Sequence, residues 1–191
     1  MKLAFVYAGQ GSQHAGMGAD LYEAYPRFRE VLDHAAVDFD LKKLCFEGPE
    51  EKLAQTRFTQ PCMVAFAVGV TRLLADEGIA PCMAAGLSLG EYSALYAAGV
   101  FDEQTVIPLA AFRGRAMEEA VGDTPCGMVA VLGLAREPLQ EACREASDAG
   151  LCEIANYNCP GQLVIAGEAA AVEKASALAL EKGAKRCIPL K

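Results

Sequence analysis

The stretch Gly86-Leu87-Ser88-Leu89-Gly90 constrains this chain more than any other, because few local geometries need a serine with glycine two residues away on each side. An apolar run, Pro81-Cys82-Met83-Ala84-Ala85, precedes it. The helix-forming stretch Glu91 to Ala98 follows, with Gly99 as a stop. A strand that turns sharply into a helix presses the residues two before and two after the apex together, so both must do without a Cβ. The serine at the apex takes a strained backbone and stands out at the carboxyl edge of the sheet. It faces the amino-terminal N–H groups of the helix, which favour negative charge. A glycine-rich turn with an incidental serine is the bland alternative. A phosphate-binding loop fits worse, because no Gly-Lys-Ser or Gly-Lys-Thr follows.

The 191 residues, 53% of them apolar, suit one large domain or two small ones with a proper core. No apolar run reaches the length of a membrane span, and MKLAFVYAGQGSQ lacks the long apolar region and small-residue cleavage site of a signal peptide. The eight cysteines contain no C-x-x-C pair and sit mostly in apolar runs, which reads as buried reduced thiols rather than disulfides or a metal site. A net charge of −8, no basic stripe and no tryptophan argue against nucleic acid. The expectation is a soluble cytosolic protein with no membrane partner.

Along the chain, Lys2 to Ala8 reads as a buried first strand running into a glycine loop. A dinucleotide fingerprint starting at Gly9 and Gly11 needs a third glycine where His14 stands, so that reading fails. Leu21, Tyr25, Phe28, Val31 and Leu32 give helical spacing over Asp20 to Val37. A short acidic helix is expected after Gly48-Pro49. A buried helix is expected from Cys62 to Glu77, with Pro61 in its first turn, and another from Asp102 to Ala120. From Cys126 the rhythm changes to strand, helix, strand, tight turn at Cys159-Pro160-Gly161, strand, helix and strand. That order is a ferredoxin-like βαββαβ module. The chain is therefore divided near residue 123, into 1–123 and 124–191.

A hydroxyl needs a base to become a good nucleophile. The two histidines, His14 and His34, both precede Ser88, so the α/β-hydrolase order of serine, acid and histidine cannot be completed. His34 reads as a solvated helix residue and His14 as part of the glycine loop. A base beyond Lys191 is the other possibility, since the last apolar stretch, AKRCIPLK, ends without a turn or cap.

Four segments in register, AFVYAGQGSQHAGMG, GLSLGEYSAL, FRGRAMEEA and NYNCPGQLVIAG, resemble the malonyl-CoA:acyl carrier protein transacylases over essentially the whole chain. The resemblance implies an α/β fold, with an α/β-hydrolase-like large domain built on a parallel sheet plus the ferredoxin-like small subdomain. It implies an S-malonyltransferase of fatty-acid biosynthesis that passes malonyl from malonyl-CoA to the phosphopantetheine thiol of acyl carrier protein through a malonyl-serine ester, without a cofactor of its own. Ser88 matches the nucleophile, the N–H groups of Gln10 and Leu89 match the oxyanion hole, and Arg113 matches the arginine that holds the malonyl carboxylate. Oxyanion donors of this kind are worth about 3 kcal/mol each. A planar guanidinium can grip a carboxylate through two parallel hydrogen bonds, and an acetyl group would leave it unpaired.

The chain departs from the family pattern at Leu87, where histidine usually stands, and it stops short of the family's catalytic histidine and the returning part of the large domain. Neighbouring readings are a free-standing polyketide-pathway acyltransferase, a serine hydrolase, and a truncated chain that binds acyl-CoA or carrier protein without turnover. Lys182, Lys185, Arg186 and Lys191 are the expected positive patch for an acidic carrier.

Overall fold

Two short apolar segments far apart in the chain, β1 (Ala4–Tyr7) and β2 (Met83–Gly86), pair in parallel with Ala4 opposite Met83 and Tyr7 opposite Gly86. Parallel neighbours need a long crossover. Here it consists of α1 (Ala19–Ala24), α2 (Pro26–Asp33), α3 (Leu41–Glu47), α4 (Glu50–Leu53) and α5 (Thr56–Asp76). After β2 come α6 (Gly90–Ala97) and α7 (Glu103–Val121). The computed structural model describes residues 2–190, and the chain falls into two units, Met1–Ala120 and Val121–Lys191.

The core of the first unit gathers around α5, where Val64 and Val68 pack with Phe28, Leu53, Leu89 and Val106. That explains a helix apolar nearly all round: α5 is long and apolar enough to cross a membrane, yet much of it is buried within its own unit. Gly69 lets it lie against Phe28, since a Cβ there would come 2.5 Å from the ring.

Three expectations need correction. The single helix over Asp20 to Val37 is two helices, because Tyr25 precedes Pro26 and takes an extended conformation (φ −123°, ψ 110°). The helix expected from Cys62 begins at Thr56 and carries Pro61 inside it. Its early start rests on a tertiary cap, in which the Arg57 N–H donates to Glu118 Oε1 from α7 at 3.0 Å. Third, β1 is not buried on both faces, for Val6 is 80% exposed on a sheet of two strands.

The second unit has the expected order: β3 (Cys126–Leu132), α8 (Arg136–Glu145), a 3-10 turn (Ser147–Ala149), β4 (Cys152–Cys159), β5 (Gln162–Glu168), α9 (Ala169–Glu181) and β6 (Arg186–Pro189). Its four strands lie in the order β4-β5-β3-β6, every neighbour antiparallel. Leu139 and Ala142 of α8 and Ala175 and Ala179 of α9 pack against Val131 and Ile165 of the sheet. The opposite face stays open to solvent at Met128 and Ile188. This is the ferredoxin-like arrangement.

Candidate active site

The turn between β2 and α6 is as tight as its sequence implies. Ser88 has φ +51°, the one non-glycine residue with positive φ among those described. A Cβ on Gly86 would lie 2.0 Å from the Gly90 carbonyl, and a Cβ on Gly90 would lie 2.3 Å from the Tyr7 carbonyl. The two glycines thus serve different approaches: Gly86 lets the turn close on itself, and Gly90 lets α6 start directly against β1. The strain at Ser88 is held by bonds on both sides, Leu87 N–H to the Tyr7 carbonyl at 3.2 Å and Gly90 N–H to the Leu87 carbonyl at 2.9 Å.

Leu89 is the cap residue of α6, so its N–H belongs to the group a helix leaves without internal partners. Its side chain is 2% exposed and anchors the turn in the core. Gln10 arrives from the loop after β1. Gly9 next to it sits so close to the turn that an added Cβ would meet the Leu87 carbonyl at 2.9 Å. The Gln10 side chain is tied back, its Nε2 donating to Thr56 Oγ1 at 3.1 Å. Both expected oxyanion donors therefore border the segment that carries Ser88.

Arg113 reaches the serine from α7, with Nη2 donating to Ser88 Oγ at 3.0 Å and the guanidinium 5.6 Å from the Tyr92 ring centre. Among the described residues it has no carboxylate partner, whereas Arg115, two positions on, pairs with Asp38 at 3.4 Å. One helix face separates a guanidinium aimed at Ser88 from one neutralised on the surface. Three contacts of α7 with α5 set that rotation. Gly114 packs where a Cβ would lie 2.8 Å from Arg57 Cα, Glu118 caps α5, and Gln60 Nε2 donates to Met117 Sδ at 3.3 Å. Gln60 is 1% exposed, and its Oε1 has no partner. The sequence reading missed Glu118 and Gln60. A polar residue in an otherwise apolar helix was the available signal for Gln60, and nothing local marked Glu118.

No base is brought to Ser88 among the described residues. His34 Nδ1 lies 2.8 Å from the Glu30 carbonyl on the surface, as its charged surroundings imply. His14 lines a cavity of about 400 Å³ beside β1, together with Leu89 and Ser93, and is not hydrogen-bonded to Ser88. The described residues also include no group of three or more His, Cys, Asp or Glu placed to hold a metal ion.

The expected carrier patch divides. Lys182 is bound to Glu141 at 3.1 Å and Glu145 at 2.9 Å, and these carboxylates, Glu145 first, raise its pKa above 10.5. Lys185 and Arg186 are exposed. Lys191 lies outside the described residues.

The chain is similar to known proteins. A family model described as an acyl transferase domain matches residues 4–188. The chain is 45% identical over 193 residues to a malonyl CoA-acyl carrier protein transacylase of Haemophilus influenzae, covering 99% of the chain and 62% of that relative. It is 43% identical to the protein of the same name from Bacillus subtilis, with 99% and 61% covered. A crystal structure of MCAT from Streptococcus pneumoniae is 50% identical, with a TM-score of 0.89, and covers 100% of this chain and 63% of that one. A malonyl-transacylase solved in complex with its type II PKS acyl-carrier protein is 42% identical at a TM-score of 0.92, covering 100% and 62%. The chain thus spans about 62% of the length of the relatives it matches.

Proposed function

Because the chain belongs to the acyl transferase domain family, we propose that it carries the acyl-accepting half of a malonyltransferase that loads acyl carrier protein from malonyl-CoA. In this reading Ser88 Oγ attacks the thioester carbonyl of malonyl-CoA. The carbonyl oxygen becomes an oxyanion held by the N–H groups of Gln10 and Leu89, and its collapse expels the coenzyme A thiolate to leave a malonyl-serine ester. The phosphopantetheine thiol of the carrier then attacks that ester by the same geometry in reverse. No resident cofactor takes part. We place the reaction in the cytoplasm, within fatty-acid synthesis.

Arg113 supplies the selectivity. Without substrate its guanidinium donates to Ser88 Oγ, which also favours the alkoxide character of that oxygen. When malonyl arrives, the fork turns to the free carboxylate and binds it through two parallel bonds, while an acetyl group offers it nothing. The 3.0 Å contact between a guanidinium free of carboxylates and a strained serine is the observation that carries this reading.

The proton of Ser88 has no acceptor among the described residues. We assign the base to a segment following Lys191, in the length by which the relatives exceed this chain, and with it the returning part of the large domain beside residues 1–123. For the carrier we keep Lys185 and Arg186 as steering charges and give Lys182 a lesser part, because two carboxylates already neutralise it.

The test is incubation with malonyl-CoA labelled in the malonyl group. Label held by wild-type protein, absent from Ser88→Ala and passed on to added carrier protein supports the proposal. Release of free malonate favours a hydrolase instead. Absence of label, in this chain and in one extended to the relatives' length, refutes acyl transfer and leaves binding alone.

A further inference from the structure

Two thiols in the second unit meet at the wall of a cavity, and the chemistry proposed for Ser88 uses neither. Cys143, near the end of α8, and Cys152, the first residue of β4, have their Sγ atoms 3.9 Å apart, with the Cys152 S–H donating to Cys143. Both line a cavity of about 390 Å³ together with Arg144, Ser147, Leu151 and Tyr157. They are 6% and 5% exposed, so each keeps a sliver of surface on that cavity. Cys45 and Cys62, in the other unit, are 2% and 0% exposed, and neither is among the residues lining this cavity.

We propose that Cys143 and Cys152 form a dithiol site that small disulfides convert to an intramolecular disulfide in the folded protein. A disulfide needs its sulfurs at about 2.05 Å. Rotation about the side-chain bonds must therefore close the 3.9 Å contact by about 1.9 Å. The eight residues between them, 144–151, run from the last turn of α8 through the 3-10 turn Ser147–Ala149 and Gly150 to β4, so the two sulfurs are carried by neighbouring element ends rather than by one rigid element. Donation from Cys152 holds the Cys143 thiol below its usual value, while the same bond and burial push Cys152 up. Cys143 is thus the attacking sulfur.

The steps balance without any group the protein lacks. Cys143 loses its proton to solvent, and its thiolate attacks a small disulfide RS–SR, forming Cys143–S–S–R and releasing RS⁻. Cys152 then loses its proton and attacks the Cys143 sulfur, forming the Cys143–Cys152 bond and releasing a second RS⁻. The protein is oxidised by two electrons and the small disulfide is reduced to two thiols.

The experiment treats the folded chain with oxidised glutathione, blocks free thiols with an alkylating reagent and digests with trypsin without reduction. Cleavage after Arg144 puts the two cysteines on different peptides, Glu137–Arg144 and Glu145–Lys174. The expected product is those two peptides joined, lighter than their sum by two hydrogens and separated by a reducing agent, with fragmentation placing the bond at Cys152 rather than Cys159. Cys45 and Cys62 stay reduced through the oxidation and are recovered alkylated when the blocking step is done in denaturant. Cys152→Ser is expected to stop at a Cys143–glutathione mixed disulfide, and Cys143→Ser to leave Cys152 unmodified. Free Cys143 and Cys152 after treatment would overturn the proposal. So would a Cys143–Cys159 bond, or oxidation that also consumes Cys45 and Cys62, since that needs unfolding.

Discussion

Replacing Gly86 by alanine tests whether the turn that presents Ser88 is closed by contact between backbones. The new Cβ would lie 2.0 Å from both the carbonyl carbon and oxygen of Gly90 and 2.3 Å from the Glu91 nitrogen. Ordinary contact begins near 3.4 Å, so the strand end and the helix start must separate by about 1.4 Å. Backbone atoms cannot rotate away as a side chain would, and α6 is held by Gly90 against the Tyr7 carbonyl. Overpacking of this kind costs about 1–3 kcal/mol. Alanine reduces the entropy of the unfolded chain, which returns about 0.4–1 kcal/mol. The net loss is then of order 1–2 kcal/mol, or a fall of about 4–10 °C in the melting temperature of a unit this size. Gly127→Ala is the control, because its Cβ would meet Val172 at an ordinary 3.5 Å, and its stability should change by less than about 0.5 kcal/mol. Thermal melts of both variants read the difference, and acylation of Ser88 by malonyl-CoA should fall only in Gly86→Ala. Equal melting temperatures for Gly86→Ala and wild type would refute the close-contact reasoning.

Three further outcomes follow from named contacts. Arg113→Lys exchanges a two-pronged grip for a single point charge, so the rate of malonyl transfer to Ser88 should fall about 10- to 150-fold, with transfer from acetyl-CoA little changed. Glu118→Ala removes the cap on α5 and frees the rotation of α7, so it should weaken malonyl selectivity, while Glu118→Gln, which keeps an accepting oxygen for the Arg57 N–H, should restore it. Selectivity unchanged in Glu118→Ala would exclude a positioning role. For Asp33, the hydrogen bond from Lys42 holds the carboxyl below its ordinary 3.8. Its stabilisation is therefore present above that value and is lost as pH falls through the lower folded-state value. Asp33→Asn should accordingly flatten the acid limb of a stability–pH profile, and its alkaline limb as well, because the same hydrogen bond raises the Lys42 pKa and that contribution is lost as pH rises through it.

What the sequence displayed was local chemistry. The paired glycines around Ser88 and the alternation of strand and helix after Cys126 are properties of neighbouring residues, and the fold repeats them within a residue or two at most boundaries. What it concealed was partnership at long range. Arg113 and Arg115 look alike on paper, and only the rotation of α7 sends one to Ser88 and the other to Asp38. Lys182 looked like a free charge because Glu141 and Glu145, which neutralise it, lie on another helix. The start of α5 escaped notice for the same reason, since Glu118 caps it from 61 residues away. The break at Pro26 is a different case. Its signal was present, but helical spacing of apolar residues runs straight through a single extended residue such as Tyr25.

The claim that Arg113, which has no carboxylate partner among the described residues, selects for a carboxylate-bearing acyl group at Ser88 can be measured without any proton transfer. Titration of Ser88→Ala protein with malonyl-CoA and with acetyl-CoA compares the two affinities directly. A preference for malonyl-CoA of about 10-fold or more is expected, since one charge-assisted pair is worth about 1.5–3 kcal/mol, and it should vanish when Arg113→Ala is added. Equal affinities for the two thioesters would contradict the account.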